Sequence, residues 1–299
     1  MSKSTIYSVK TARNRDFLFK RLISAYLHRQ SEPYNRNRGH RMAIYANDFI
    51  GIEVNSFGFY ESEDLFVLFE FLKPLIVEFK KGAALDIGAN IGNHSIYFSK
   101  FFEKIYSFEP NTSTFSLLTA NSKWQTKIVP LNYGLGEYSG TFMMHEETGN
   151  FGASSIIPTN NERATDVVSI AVRTLDEHVE ELKNVLFVKI DVEGFEANVL
   201  RGGEAFISAN EPVIVLEQHL DDFNGNTTPS IELLKQFNYK ICWQQNGATS
   251  KSRVGRLFYN VLELWTGRKH YIVTAPFVPP GFHPMLIAVP PRFQKRLGL

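Results

Sequence analysis

AALDIGANIGNHSIYF, Ala83 to Phe98, runs from an apolar strand past an acid and two glycines directly into a helical pattern. Asp86 ends the strand, Gly88 opens a turn and Gly92 starts the helix. That succession holds a nucleotide at the carboxyl edge of a sheet. The glycine spacing here is G-x-x-x-G. A dinucleotide pyrophosphate calls instead for G-x-G-x-x-G, where the backbone closes on the phosphates and a helix N-terminus faces their charge.

Outward from this turn, apolar strands alternate with amphipathic helices. KIYSFEP, KIVPLNYGLG, VLFVKIDVEG and EPVIVLEQH read as strands, and NTSTFSLLTANSKW, EANVLRGGEAFISA and PSIELLKQFNY as helices. Strands apolar along their whole length are buried on both faces. The predicted fold is therefore α/β, a doubly wound Rossmann-like sheet over residues 81–245, with its site outside the strands' carboxyl ends. The stretch between KIVPLNYGLG and VLFVKIDVEG reads as irregular. Residues 42–80 form a lead-in, with short strands expected from Met42 to Ile52 and a helix from Glu61 to Lys80 interrupted at Pro74. Residues 246–299 read as a C-terminal extension, in which APFVPPGFHP is too rich in proline for a helix.

Residues 1–41 carry ten Lys/Arg against only Asp16 and Glu32, although the whole chain of 299 residues has a net charge of +1. Phe17, Leu18, Leu22, Ile23, Tyr26 and Leu27 recur at helical spacing, so this arm is expected to be a basic amphipathic N-terminal helix followed by a linker, SEPYNRNRGHR. Such a helix can dock on its own domain, the favoured expectation, on a partner, or peripherally on a membrane. Cys242 is the only cysteine, which excludes an intramolecular disulfide and a cysteine-rich metal site. No apolar run reaches bilayer length and no signal-peptide core opens the chain. The expected localisation is cytoplasmic, with membrane-peripheral contact left open. There is no basic groove interleaved with aromatics, so nucleic acid is a poor acceptor.

An acid beside the first turn favours a ligand with cationic and hydroxyl groups, and S-adenosylmethionine carries both. Glu109, at the next strand end, is placed to accept hydrogen bonds from two ribose hydroxyls, as it would for NAD. Asn132, at the third strand end, is the candidate beside the adenine. Each has a purely local competitor: a tight corner for the glycines, a helix cap for Asp86. Three polar residues at three successive strand ends favour the cofactor.

LDIGANIGNHS, SFEPN, LNYGLGEYSG, NFGASSI with VRTLDEHV, FVKIDVEGFEANVLRGG and PVIVLEQH occur in that order. On these segments, from about Gly51 to Trp243, the chain resembles the FkbM family of S-adenosylmethionine-dependent methyltransferases. The resemblance implies a class I methyltransferase sheet and O-methylation of a hydroxyl, often on a sugar, polyketide or glycan. It also implies that Asp86, Gly88, Asn90 and Gly92 cradle the methionine part of the cofactor and that Glu109 holds the ribose. Phe195 is a departure, since the family usually has a small residue after DVEG.

Methyl transfer needs the acceptor positioned and its proton removed. Asp191, ending the fourth strand, is the first candidate for that work, with a helix cap as its competitor. Glu217 and His219 end the fifth strand on one face, so Asp191, Glu217 and His219 can converge. Either His219 is the general base, the slightly favoured reading, or Asp191, Glu193 and Glu217 hold a divalent cation such as Mg2+ that lowers the acceptor's pKa. Glu196 belongs to the first helical turn. His94, inside the first helix, reads as packed or solvent-facing. EETGNFGASSI is expected to cover the site, with Asn150, Ser154 and Ser155 as acceptor ligands and Gly149 and Gly152 as hinges. Thr174 and Glu177 form a local capping pattern. Trp243, Trp265 and Tyr271 suit sugar stacking but read more readily as core, and the basic KSRVGR reads as a solvated loop.

The sequence thus points to an S-adenosyl-L-methionine-dependent O-methyltransferase acting on a saccharide, glycan or related polyol. An NAD(P)-dependent oxidoreductase is disfavoured by the missing G-x-G-x-x-G and by Asp86. A non-catalytic protein retaining the fold is disfavoured by the acids kept at every strand end.

Overall fold

The computed structural model describes residues 15–37, 40–45, 48–147, 164–246, 263 and 267–299. The chain separates into two compact units, Met1–Arg41 and Met42–Leu299. In the first, helix α1 spans Arg15–Asn37 and so runs through residues expected to be linker, Pro33 included. Every side chain from Phe17 to Arg29 on α1 is exposed.

The second unit is built on an eight-stranded sheet. Strands β1 (Ala83–Ile87), β2 (Lys104–Phe108), β3 (Ile128–Leu131), β7 (Val185–Ile190) and β8 (Val213–Gln218) pair in parallel in the order β3-β2-β1-β7-β8. The chain builds outward from β1 to β3, then returns to the other side of β1. Strand order therefore reverses between β1 and β7, and a crevice opens there at the carboxyl edge. Helices α5 (Asn93–Phe98), α6 (Thr112–Ser122), α7 (Glu196–Arg201), α8 (Glu204–Asn210) and α9 (Pro229–Gln236) occupy the connections. Both faces are packed: Leu85, Val188 and Leu216 belong to one core, Ala84, Phe187 and Val215 to the other. In the second, Phe187 meets Phe69, Phe98 and Phe102 with ring centroids 5.1–5.8 Å apart.

Three expectations are corrected. Residues 246–299 are not an extension outside the sheet. Strand β11 (His283–Val289) lies between β8 and β9 (Lys240–Asn246), antiparallel to both, and β10 (His270–Thr274) pairs antiparallel with β9. Its Met285–Val289 run is buried throughout, and the proline-rich stretch is the approach to it. The irregular stretch contains a second sheet, in which β6 (Ala164–Arg173) pairs with β5 (Gly140–Glu147) and with β4 (Gly134–Leu135). The strands expected before Ile52 are absent among the described residues. Helix α2 (Phe49–Phe57) stands there, because Ile50, Gly51 and Val54 turn to one face at helical spacing. Helix α3 (Ser62–Phe71), a 3-10 turn at Lys73–Leu75 and α4 (Ile76–Phe79) follow, with the break at Pro74. Asn121, fully buried, bonds both to the backbone of Ala43 and to Ile91 O, fastening the lead-in over the first turn.

Candidate active site

The residues after β1 make one wall of the crevice. Gly88 has φ +80, and a Cβ there would sit 1.8 Å from Asp191 O, so only glycine lets the ends of β1 and β7 close together. Its N–H and that of Ala89 donate to Phe108 O at 3.0 and 2.9 Å. Asn90 adopts φ +50, its Oδ1 accepting from Ile91 N at 2.7 Å, and Gly92 adopts φ +89. Gly88, Asn90 and Ile91 line the pocket. Asp86 does not. It is fully buried beneath the turn, where Oδ2 accepts from Ser95 Oγ at 2.5 Å, and Ser95 Oγ meets Ser107 Oγ at 2.7 Å. Its place inside β1 makes it the anchor of α5.

Glu109 follows β2 and lines the pocket, almost wholly buried. Oε2 accepts from Asn90 N at 2.9 Å and Oε1 from Asn111 N at 2.8 Å. Burial pushes its carboxyl up from the ordinary 4.5 to about 7, against the pull of those two N–H groups and with help from Asp86 and Asp191. Asn132 is not among the pocket-lining residues. Its Nδ2 donates to Glu109 O and Pro110 O at 2.9 and 3.2 Å, so it braces the Glu109 turn from behind. Pro110, Leu135 and Met144 form the apolar wall beside Glu109.

Asp191 follows β7 and meets Lys189 Nζ at 2.7 Å through Oδ2. Burial works to raise the Asp191 carboxyl, but Lys189 and a hydrogen bond from Glu217 hold it below the usual range. Glu217 moves the other way, raised by burial and by the charge of Asp191 beside it. It is thus the protonated member, donating to Asp191. One carboxylate oxygen from each of Asp191, Glu193 and Glu217 lies within 4.8 Å of the others, a spacing that a divalent cation can bridge. His219 stands at the rim, outside the lining residues, 45% exposed on its side chain. Nε2 lies 3.8 Å from both Glu193 and Glu217, and the ring packs 5.2 Å from Phe282. The three expected catalytic residues therefore neighbour one another, but only Asp191 and Glu217 face the pocket.

A histidine that does face it is His94. It is buried in α5, and Nε2 pairs with Glu61 Oε2 at 3.1 Å. Tyr60 stands beside it, ring centroids 6.2 Å apart, and is clamped by Asn93, whose side chain exchanges bonds with Tyr60 N and O at 3.0 and 3.1 Å. Phe49, Ile50 and Tyr60 close this side of the pocket. Glu61 lies 33 positions before His94, too far for any local motif to pair them.

The remaining candidates sort plainly. Glu196 caps the turn after Asp191, accepting from Val192 N and Gly194 N at 3.2 and 3.1 Å; burial pushes it up to about 7 against those bonds. Phe195 packs on Phe142 of β5 and against Gly136, which explains a large residue at that position. Thr174 Oγ1 accepts from Glu177 N at 3.3 Å. Trp243 is core, in β9, and Tyr271 is exposed on β10. Gly149, Asn150, Gly152, Ser154, Ser155, KSRVGR and Trp265 lie outside the described residues.

Residues 86–241 match the model of the methyltransferase FkbM domain, and the chain belongs to that family. A hexuronic acid methyltransferase, AglP, from Haloferax volcanii is 34% identical over 142 residues, 46% of this chain and 56% of the relative; the chain thus spans little more than half that relative's length. Among solved structures, methyltransferase FkbM from Methylobacillus flagellatus is 17% identical, covering 73% of this chain and 56% of that one with a TM-score of 0.35. SMU.1697c from Streptococcus mutans, in complex with SAH, is 7% identical, covering 75% and 96% with a TM-score of 0.38.

Proposed function

We propose that this chain is an S-adenosylmethionine-dependent O-methyltransferase whose acceptor is a hydroxyl of a saccharide, glycan or related polyol. Glu109 carries the reading. A buried carboxylate whose two oxygens are each aligned by a backbone N–H keeps lone pairs for a ribose diol, and the Pro110, Leu135 and Met144 wall beside it suits an adenine. The Gly88–Gly92 turn would hold the methionine part, with Asp86 acting through α5 rather than by contact. When bound, S-adenosylmethionine supplies an electrophilic methyl group on a good leaving group. A sugar acceptor is supported by the 34%-identical relative, a hexuronic acid methyltransferase.

This chain's own residues position the acceptor and take its proton. Asp191, kept ionised by Lys189 and Glu217, accepts a hydrogen bond from the acceptor hydroxyl and fixes its direction. A carboxylate held that far down retains a proton poorly, so it orients rather than deprotonates. His94 is the better base. It lines the pocket, and Glu61 Oε2, 3.1 Å from its Nε2, can steady the imidazolium formed when the ring takes a proton. His94 would take the hydroxyl proton as the methyl group moves from the cofactor's sulfur to the acceptor oxygen, the S–C bond breaking and a neutral thioether leaving. Reading the acids as Mg2+ ligands rests on the spacing of Asp191, Glu193 and Glu217 alone, with Lys189 already paired to Asp191 at 2.7 Å.

Isothermal titration with S-adenosylhomocysteine tests the cofactor assignment. Micromolar binding that disappears in Glu109→Ala is expected; a wild-type protein that gives no heat at saturating ligand refutes it.

A further inference from the structure

We infer that α1 is an interfacial anchor that lies on an anionic lipid surface. This inference is independent of the cofactor reading. Leu18, Phe19, Leu22, Ile23 and Tyr26 fall at positions i, i+1, i+4, i+5 and i+8, and so share one face of the helix. Each is 43–68% exposed. Lys20 and Arg21 lie off that face, where their stems can cover apolar surface while their charges reach outward. Lys3, Lys10 and Arg13 precede this stretch and Arg36, Arg38 and Arg41 follow it.

A helix of 23 residues with its apolar face open to water is marginal by itself, so the face calls for an occupant. Charge selects which. The occupant must offer apolar area and negative charge side by side, because ten basic residues stand against two acids in residues 1–41. Nucleic acid offers the charge without the apolar area. An anionic bilayer interface offers both in one plane, and it holds a helix only when the two signals act together. No helix among the described residues is long and apolar enough to cross a membrane, so α1 lies on the surface rather than spanning it.

The test uses the full chain, co-sedimented with vesicles of phosphatidylcholine alone and of phosphatidylcholine mixed with phosphatidylglycerol, at low and high salt. Binding is expected on the anionic vesicles only, weakened by salt. Each basic residue near such a surface contributes about fivefold in partitioning, so Lys20→Glu with Arg21→Glu should weaken binding at least about 25-fold. Leu22→Asp with Ile23→Asp should abolish it at either salt. The thermal unfolding of the 42–299 unit should be unchanged in both variants, which separates lost docking from lost fold. Absence of binding to anionic vesicles overturns the inference, as does equal binding to neutral ones or binding that neither variant reduces. A change in sedimentation-velocity mass with Leu22→Asp/Ile23→Asp would assign the face to a second copy of this chain instead.

Discussion

Cofactor affinity is expected to rise with pH through neutrality, and Glu109 is the reason. Burial holds its carboxyl at about 7, because the two backbone N–H groups that favour the ion are outweighed. Only the ionised carboxylate offers lone pairs on both oxygens to two ribose hydroxyls; protonation turns one oxygen into a donor. If the ion alone is competent, the apparent Kd scales inversely with its population. That population goes from about a tenth near pH 6 to about nine tenths near pH 8, so the Kd for S-adenosylhomocysteine should fall about tenfold.

The sign for stability runs opposite. A folded-state pKa raised above the ordinary 4.5 stabilises the empty protein at low pH, and that contribution is lost as pH rises from about 4.5 through about 7. Ligand binding should therefore release about half a proton near pH 7, measurable by titrating in buffers of different ionisation enthalpy. Glu109→Gln should bind about thirtyfold more weakly at high pH, the loss of about 2 kcal/mol of charge-assisted bonding, with a flatter pH profile. Glu196 is also held at about 7 and titrates in both proteins, so the difference between them isolates Glu109. A wild-type Kd that is flat across this range, or a slope that survives undiminished in Glu109→Gln, would refute the reasoning.

Three further outcomes follow from the site. Asp191→Asn leaves Lys189 buried without its ion-pair partner and should cost about 3 kcal/mol, seen as a Tm lower by roughly 6–12 °C, whereas Glu217→Gln replaces a group already protonated and should leave Tm nearly unchanged. His94→Asn should lower kcat on a sugar acceptor by about 100-fold or more while the Kd for S-adenosylhomocysteine stays within about twofold. Glu61→Gln should show a smaller loss in kcat at unchanged Kd; equal losses in Kd and kcat would instead make His94 a packing residue. Gly88→Ala drives a Cβ to 1.8 Å from Asp191 O and should abolish S-adenosylhomocysteine binding, with a lowered Tm by scanning fluorimetry.

The parallel half of the sheet was legible because β1, β7 and β8 are apolar on both faces, a pattern that only a doubly covered strand explains. Position in the sheet was not. HPMLIAV is as apolar as those strands, but nothing local says that the chain will return to insert it between β8 and β9. The site divides the same way. Asp86, Gly88, Asn90 and Gly92 read as one motif with one task, yet only Gly88 and Asn90 line the pocket, and β1 turns Asp86 beneath it. The pairing of His94 with Glu61 is invisible at any local spacing, since it exists only once the lead-in folds over α5.

That lead-in has a consequence for specificity. The family match covers residues 86–241, which supply the Gly88 turn, Glu109 and Asp191. The opposite wall comes from Phe49, Ile50 and Tyr60, outside the match, and Asn93 ties Tyr60 to the start of α5. The Tyr60 ring stands 6.2 Å from that of His94, the proposed base, so this wall adjoins the acceptor side of the site. This wall is therefore expected to bear on acceptor choice, together with His94 and Asp191 from within the matched segment. Phe49→Ala and Tyr60→Ala should raise the acceptor KM several-fold and leave the Kd for S-adenosylhomocysteine within about twofold, because a ring lost from one wall removes contact area only from what it touches. Kd weakened in step with KM would mean that these rings cover the cofactor, and acceptor selection would then have to come from elsewhere on the pocket rim.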